Sequence, residues 1–297
     1  MATAAYPMPH RNAHGGCLYL VATPIGNLED VSLRALRVLK EVDFIACEDT
    51  RETSKLLSHY GINKRSLSYH EHNEVVRAAE IMLELEEGAR VALVSDAGTP
   101  GISDPGYHLV TMAIRHGIPV VPIPGPTAFS AALVASGLPS DRFHFLGFLP
   151  AKRTQRRKAL QALAKEQATL VFYEAPHRIA DSLADMAATL GDRHVVLARE
   201  VTKVHEEFLR GRLHEAAREA KQRALRGEIT VLVGPPEKGT RRKASVRVPS
   251  LRARVERLQR RRKLDFKAAL KAVARQLGLS RSEAYRRLQE EKALTRR

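Results

Sequence analysis

Five short segments of this chain gather glycine, proline, hydroxyl and acidic side chains, and each follows a run of aliphatic residues. They are Thr23-Pro24-Ile25-Gly26-Asn27, Glu48-Asp49-Thr50-Arg51, Ser95-Asp96-Ala97-Gly98-Thr99-Pro100-Gly101, Pro124-Gly125-Pro126-Thr127 and Glu174-Ala175-Pro176-His177-Arg178. Glycine and proline let the backbone turn sharply and approach a ligand closely. Any one of these segments is an ordinary tight turn, but five in one chain point to loops lining a common cleft. None contains Gly-x-Gly-x-x-Gly or Gly-x4-Gly-Lys-Ser/Thr, which excludes the usual dinucleotide and NTP cradles. Exposed amides with few cations suit a small uncharged or zwitterionic ligand better than a triphosphate. No Gly-x-Ser-x-Gly elbow or Ser-His-Asp order stands out. His70-Glu71-His72 can set two imidazoles on one face of a strand, but lacks a third ligand and reads as hydrogen bonding or packing rather than a metal site.

The elements that must hold those loops are written in the hydrophobic pattern. Short apolar runs at 18–22, 44–47, 91–94 and 119–123 alternate with helical patterns such as 33–39 and 74–85, the latter closed by Gly88. Continuous apolar runs alternating with helices indicate a mostly parallel sheet covered on both faces. After Pro139 a second series begins, with strands near 143–148, 170–173, 194–197 and 229–232 and helices near 154–164, 179–190 and 214–226. Ligands of open parallel sheets bind outside the carboxyl ends of the strands, where the five segments fall. The expected fold class is α/β, with a flexible leader at 1–16, one α/β domain at 17–125 and another at 126–237.

The charge is segregated. Of the 297 residues, 238–297 hold 6 Lys and 15 Arg against 5 acids, which accounts for the whole formal charge of +16. A tail of this kind points to a polyanionic partner held through phosphate contacts and counterion release, or else to a solvated tail. A linker is expected at 238–250. The stripe Phe266, Leu270, Val273, Ala274, Leu277 then predicts a helix ended by Gly278. Ser280-Arg281-Ser282-Glu283 is a capping box opening another helix that carries Arg286 and Arg287. The region 251–297 thus reads as a basic, helix-turn-helix-like RNA-binding domain. A second basic group, Lys152-Arg153 with Arg156-Arg157-Lys158, extends an RNA track or forms a solvated helix face. Hydrophobic residues at 44% and charged residues at 28% fit a soluble globular protein, and no apolar run reaches the ~20 residues of a membrane helix. Cys17 and Cys47 make neither a disulfide framework nor a metal-ligand spacing, so a cytoplasmic location is expected.

Six segments in order carry a resemblance. These are the stretch from Leu20 to Asp30 through Thr23-Pro24-Ile25-Gly26-Asn27, Cys47-Glu48-Asp49-Thr50-Arg51, Tyr69-His70-Glu71-His72-Asn73-Glu74, the run from Ser95 to Gly106, Pro122-Ile123-Pro124-Gly125-Pro126-Thr127-Ala128, and Tyr173-Glu174-Ala175-Pro176-His177-Arg178. Residues 17–237 resemble the bacterial small-subunit (16S) rRNA cytidine ribose 2′-O-methyltransferases of the tetrapyrrole methylase superfamily. The basic tail is similar to that family's small C-terminal appendage. The resemblance implies two α/β domains with S-adenosylmethionine in the cleft between them, a homodimer, and methylation of a cytidine ribose in the decoding region of 16S rRNA, within the small ribosomal subunit. It assigns cofactor contacts to Pro24, Gly26, Ser95, Asp96, Ala97, Gly98, Thr99, Ile102, Ser103, Thr127 and Tyr173, with Ala198 nearby. Gly98-Thr99-Pro100 departs from the Gly-Asp-Pro of corrin and sirohaem methylases, which fits a different methyl acceptor.

Methyl transfer to a hydroxyl is an in-line displacement that gains from alignment and from a base. Glu174 is the favoured base, with Asp49, Asp96, and Lys203 if burial depresses its pKa, as the others. The alternative for Glu174 is a salt bridge to Arg178. RNA contacts are expected from Arg51, Arg178, Arg153, Arg156, Arg157, Arg281, Arg286 and Arg287. Two other functions compete. A tetrapyrrole methyltransferase leaves the basic tail without a reason, and a non-catalytic RNA-binding protein leaves the five loops idle.

Overall fold

The structure, a computed structural model, describes residues 15–223, 225–237, 251–262 and 264–294. The expected leader therefore lies outside the described residues except for Gly15 and Gly16, and the expected linker at 238–250 lies wholly outside them. The chain forms two compact units, one up to Pro236 and one from Glu237 onward.

The first sheet of the larger unit holds β1 (Cys17–Val21), β2 (Phe44–Cys47), β3 (Arg65–Ser68), β4 (Arg90–Val94) and β5 (Val120–Ile123), in the order β3-β2-β4-β1-β5 and parallel throughout. Alternate side chains serve opposite faces. Tyr19, Val21, Ile45, Ala92 and Val94 pack with Ala35, Val38 and Leu39 of α1 (Leu33–Glu41), while Leu18, Phe44, Ala46, Val91 and Leu93 pack with Ile81 and Leu85 of α3 (Glu74–Glu86) and Leu109 of α4 (Tyr107–Arg115). Burial of both faces is why these strands are continuous apolar runs. β3, with the sequence RSLS and no fully buried residue, has no such run, so the pattern gives no sign of it. Between β2 and β3 lies α2 (Thr50–His59), capped by Asp49.

The second sheet contains β6 (Phe143–Phe148), β7 (Thr169–Glu174), β8 (His194–Arg199), β9 (Glu207–Arg212) and β10 (Ile229–Val233), in the order β6-β7-β10-β8-β9. Only β6 and β7 are parallel; the other three pairs are antiparallel, which corrects the expectation of parallel strands here. The cause is β9. The 200–206 connection is too short for a parallel crossover, so β9 turns back against β8. Its half-buried EFLRGR hides it among the loops in the sequence. On one face lie α6 (Arg153–Ala162), α7 (Ile179–Leu190) and α8 (Leu213–Gln222), around Leu160, Phe172, Leu183, Met186 and Val231. The other face packs on α5 (Ala128–Ser136) and on Ile25, which comes from the loop after β1.

The smaller unit is a three-helix cluster: α9 (Leu251–Arg262), α10 (Phe266–Gln276) and α11 (Arg281–Leu294). Asp265 Oδ1 accepts from Ala268 N at 2.7 Å, Gly278 is left-handed at φ 64°, and Ser280 and Glu283 form the reciprocal capping box. α9 supplies the third wall through Leu251, Val255 and Leu258, apolar positions scattered among arginines. The expected two-helix hairpin is thus part of a three-helix unit. No helix among the described residues is long and apolar enough to cross a membrane.

Candidate active site

The loops after β1 and β4 are stitched together. Thr23 N donates to Gly98 O at 2.8 Å, Gly98 N to Thr23 O at 3.0 Å, and Thr23 Oγ1 to Ser95 O at 3.0 Å. Gly98 needs its left-handed φ of 99°, and a Cβ there would lie 3.5 Å from Ile25 Cγ2, at the wall of an open space. Thr99 and Thr127 share a hydroxyl–hydroxyl hydrogen bond of 3.0 Å, tying the same loop to the start of α5. These loops and the facing ends of β7, β8 and β10 enclose a cavity of about 590 Å³. That volume falls in the range of small-molecule sites.

Of the residues expected at the cofactor, Asp96, Ala97, Gly98, Thr99, Ile102, Ser103, Thr127 and Tyr173 line this cavity, and Ala198 joins them. Pro24, Gly26 and Ser95 do not. Ile25 lines it instead, while Gly26 gives passage to the Lys203 side chain, whose Cγ would lie 2.3 Å from a Cβ at that position. Sequence reasoning missed Asp104, Phe148, Glu200 and Glu228, which also line it. Asp104 stands inside the run from Ser95 to Gly106, whose glycines and prolines mark it as a ligand loop in the sequence. Glu200 and Glu228 meet only because β8 and β10 pair antiparallel.

The expected catalytic groups are engaged elsewhere. Glu174 lines the cavity, but its carboxylate is fully enclosed: Oε1 accepts from Ala175 N at 2.9 Å and pairs with Arg178 Nε at 3.2 Å, and Oε2 accepts from Ser182 Oγ. Asp49 is outside the cavity lining. It caps α2 through Arg51 N at 2.8 Å and grips the Arg51 guanidinium, which together with that backbone bond hold its carboxyl down at about 2. A group so acidic is a poor base. Lys203 lines the cavity between Glu200 (3.1 Å) and Glu228 (3.2 Å). Burial works to lower its pKa, but the two carboxylates outweigh it and the net shift is upward, opposite to what a neutral lysine base requires. Asp96 is exposed and accepts from Asp49 N at 2.9 Å.

Among the expected RNA contacts, Arg156 is buried and Arg178 is half-buried. Arg156 donates to Asp185 Oδ2 through Nε (2.9 Å) and Nη2 (2.7 Å), and Arg178 donates to Leu149 O at 2.6 Å besides pairing with Glu174. Arg156 is a structural tie, which corrects its assignment to RNA, whereas Arg178 keeps part of its side chain exposed beside these partners. Consecutive positions of a helix lie about 100° apart, so Arg156 turns inward while Arg157 beside it faces solvent. Arg51, Arg153, Arg157, Arg286 and Arg287 are exposed, Arg51 on Asp49 and Arg153 on Asp185. Arg281 starts α11, with its side chain outside the described set. His70 meets Asn73, and no cluster of three potential metal ligands occurs among the described residues.

The cavity's far wall is aromatic. Tyr173 OH accepts from Phe129 N at 3.3 Å, and its ring centroid lies 4.9 Å from Phe145 and 5.7 Å from Phe148. Phe148 is 55% exposed.

The sequence profile of the Tetrapyrrole (Corrin/Porphyrin) Methylases matches residues 17–217. The chain is 56% identical to Ribosomal RNA small subunit methyltransferase I of Halalkalibacterium halodurans, over 73% of this chain and 75% of that one. It is 45% identical to the protein of the same name from Synechocystis, over 95% of both. Uroporphyrin-III C-methyl transferase from Thermus thermophilus, solved with S-adenyl homocysteine, shares the fold at 22% identity and a TM-score of 0.53, over 74% of this chain and 97% of that one. The chain therefore belongs to the tetrapyrrole (corrin/porphyrin) methylases and, among them, to the ribosomal RNA small subunit methyltransferase I family.

Proposed function

We propose that this chain methylates small-subunit ribosomal RNA with S-adenosylmethionine, at the 2′-hydroxyl of a cytidine ribose in the decoding region of 16S rRNA. The observation that carries the reading is one chain holding both a small-molecule cavity of about 590 Å³ in a methylase fold and a separate three-helix unit rich in arginine. The names of its relatives at 45% and 56% identity support the coarser part of the reading, methylation of small-subunit ribosomal RNA.

The residues present fit the methyl donor. Ile25, Ala97, Ala128, Ala198, Val201 and Ile229 give the cavity apolar walls for a flat base and a thioether. Thr99, Ser103, Thr127 and Thr230 offer hydroxyls, and Gly98 leaves space that any side chain would invade. Apart from Glu174, which Arg178 neutralises, the acids Asp96, Asp104, Glu200 and Glu228 outnumber Lys203 in the lining, which favours a ligand of net positive charge. When bound, S-adenosylmethionine supplies an electrophilic methyl group on a sulfonium.

The chain's own part is positioning. The stitched loops fix the cavity wall on the side of the first sheet, and the half-exposed Phe148 beside Tyr173 offers an aromatic face on which a splayed base can stack. Alignment of the ribose hydroxyl with the methyl carbon is a large share of the rate gain available to such a reaction. The exposed Arg286 and Arg287 belong to a unit suited to phosphate contacts. The reading includes a cytoplasmic location and a homodimer, and the exposed apolar side chains Val75, Val76 and Leu83 on α3 and Ile114 on α4 support the homodimer.

Transfer of radiolabelled methyl from S-adenosylmethionine to small subunits isolated from a strain lacking this gene tests the proposal. Label recovered as 2′-O-methylcytidine is the expected result. Label on a base, on another nucleoside, or none on subunits and free rRNA would refute it.

A further inference from the structure

We propose that the open groove between α2 and β3 holds the sugar-phosphate backbone of the rRNA strand that leads into the cavity, a site that deepens the rRNA 2′-O-methylation reading and rests on it.

The groove lies on the larger unit, apart from the methyl-donor cavity, and encloses about 680 Å³. α2 gives it Thr50, Ser54 and Ser58, which share one face of the helix, so three hydroxyls stand in a row about 12 Å long. The chain returning from α2 to β3 gives it Asn63, Lys64 and Ser66. Leu57 and Ile62 form the floor and belong to the core beneath. Ser54, Ser58 and Asn63 are exposed, and β3 is the outer strand of its sheet. Gly61 turns the chain at φ 61°, and a Cβ there would meet nothing within 4 Å, so the end of the groove beyond Ser58 is open as well.

The lining offers hydrogen-bonding groups that the fold does not use. Among the described residues, none of the four hydroxyls, the Asn63 amide or the Lys64 ammonium has a hydrogen bond or ion pair within the protein. A helical serine can return its hydroxyl to the carbonyl four residues back; Ser54 and Ser58 present theirs to the groove instead. The charge favours an anion. Among the described residues the groove lining holds no carboxylate, whereas the cavity lining holds five carboxylates and one lysine. The nearby Arg51 and Lys55 are matched by Asp49 at 2.6 Å and Glu52 at 2.7 Å, which leaves Lys64 as the net charge of the lining. Lys64 follows the carbonyl end of α2, where the helix dipole alone would repel an anion, and reverses the sign there. Serine, threonine, asparagine and lysine are phosphate-contacting side chains. With no aromatic ring among its lining residues, the groove positions a strand without reading its bases.

Position ties the groove to the chemistry. Thr50 follows Asp49, whose N–H donates to Asp96 Oδ1 at 2.9 Å, and Asp96 lines the cavity, so the groove starts at the cavity rim. The acidic cavity repels phosphates, and a strand whose ribose and base enter it needs its backbone anchored outside. A strand laid along α2 places its phosphates on the hydroxyl row and Lys64, and its next nucleotide enters the space that Phe148 and Tyr173 line.

Lysine footprinting of the full chain tests the site. Amines are acetylated with a limiting reagent, with and without small subunits isolated from a strain lacking this gene, and the modified lysines are read by mass spectrometry. Lys64 should lose reactivity at least about threefold on the subunits, while the exposed Lys221 on α8 keeps its own within about 1.5-fold. Lys64→Gln should lower the salt dependence of rRNA binding by about one phosphate contact. Ser54→Glu/Lys64→Glu should raise the rRNA KM at least about tenfold, with kcat and S-adenosylmethionine affinity within about threefold of wild type. Lys221→Gln should change none of these. The footprint uses the unaltered chain, so it decides the proposal even if the double variant fails to fold. Lys64 equally reactive with and without bound subunits overturns the site, as does a folded double variant with the wild-type KM. Lys64 protected before any RNA is added, and released on dilution, assigns the groove to a second copy of the chain and overturns the site too. Wild type that gives no methylated rRNA removes the function and this site together; wild-type product with Lys64 reactive throughout removes the site only.

Discussion

Replacing Arg156 with methionine should lower the melting temperature of the larger unit sharply while leaving intrinsic RNA affinity alone. The guanidinium is 5% exposed and its partner Asp185 3%, joined by two hydrogen bonds of 2.9 and 2.7 Å, with a third from Nη1 to Ala151 O at 3.2 Å. Methionine keeps most of the apolar stem but leaves Asp185 nearly uncompensated. Arg153 remains 3.2 Å from Oδ1, yet its side chain is 73% exposed, so solvent screening holds that pair to about 1 kcal/mol at most. Breaking a buried pair from one side costs about 3–5 kcal/mol. For a unit of this size each kcal/mol moves the midpoint by about 2–4 °C, so a fall of roughly 6–20 °C is expected by calorimetry or circular dichroism. The double variant Arg156→Met/Asp185→Leu should recover most of it, because an apolar pair of similar shape replaces both charges. The exposed Arg157→Ala serves as the contrast: stability within about 0.5 kcal/mol, and one phosphate contact fewer in the salt dependence of rRNA binding. A melting point for Arg156→Met within about 2 °C of wild type, or weakened rRNA binding with an unchanged melt, would refute the reasoning.

Deleting 238–297 removes the entire excess charge, so filter binding should show weaker rRNA affinity and a shallower salt dependence while cofactor binding persists; retained affinity would count against it. Gly98→Val forces a β-branched residue to φ 99° and puts methyl groups against Ile25, so S-adenosylmethionine affinity measured by calorimetry should fall at least about tenfold in a chain that still folds. Phe148→Ala removes a ring that is already 55% exposed, so stability should change little, whereas rRNA KM should rise by about 10- to 100-fold if a base stacks there; an unchanged KM refutes the stacking.

Strands buried on both faces were readable because such burial demands unbroken apolar runs: 18–22, 44–47 and 91–94 all lie on the observed β1, β2 and β4 within a residue or two. β3 and β9, at sheet edges and only partly buried, carry mixed residues and were invisible to the same rule. α9 was masked because its apolar residues are outnumbered by arginines that face water. The capping box at Ser280 was legible since its partners are three residues apart and need no tertiary contact.

The loops that build the cavity were likewise local: glycine, proline and hydroxyls at strand ends say that a ligand is approached closely, and the match to relatives rests on those same runs. The state of each charged group was not. Glu174, Asp49 and Asp104 are all carboxylates at strand-end loops in the sequence, yet one is sealed by Ser182 and Arg178, one caps a helix, and one lines the cavity. Arg156 and Arg157 are neighbours in one basic run, but only Arg156 meets Asp185, 29 residues away on α7. Sequence by itself determined which residues could do chemistry and where loops had to be, because hydrophobic periodicity and turn preferences act over a few residues. Only the tertiary structure decided which carboxylates are tied up in ion pairs and caps and which arginine is core, because burial and ion pairing depend on partners that folding brings from far along the chain.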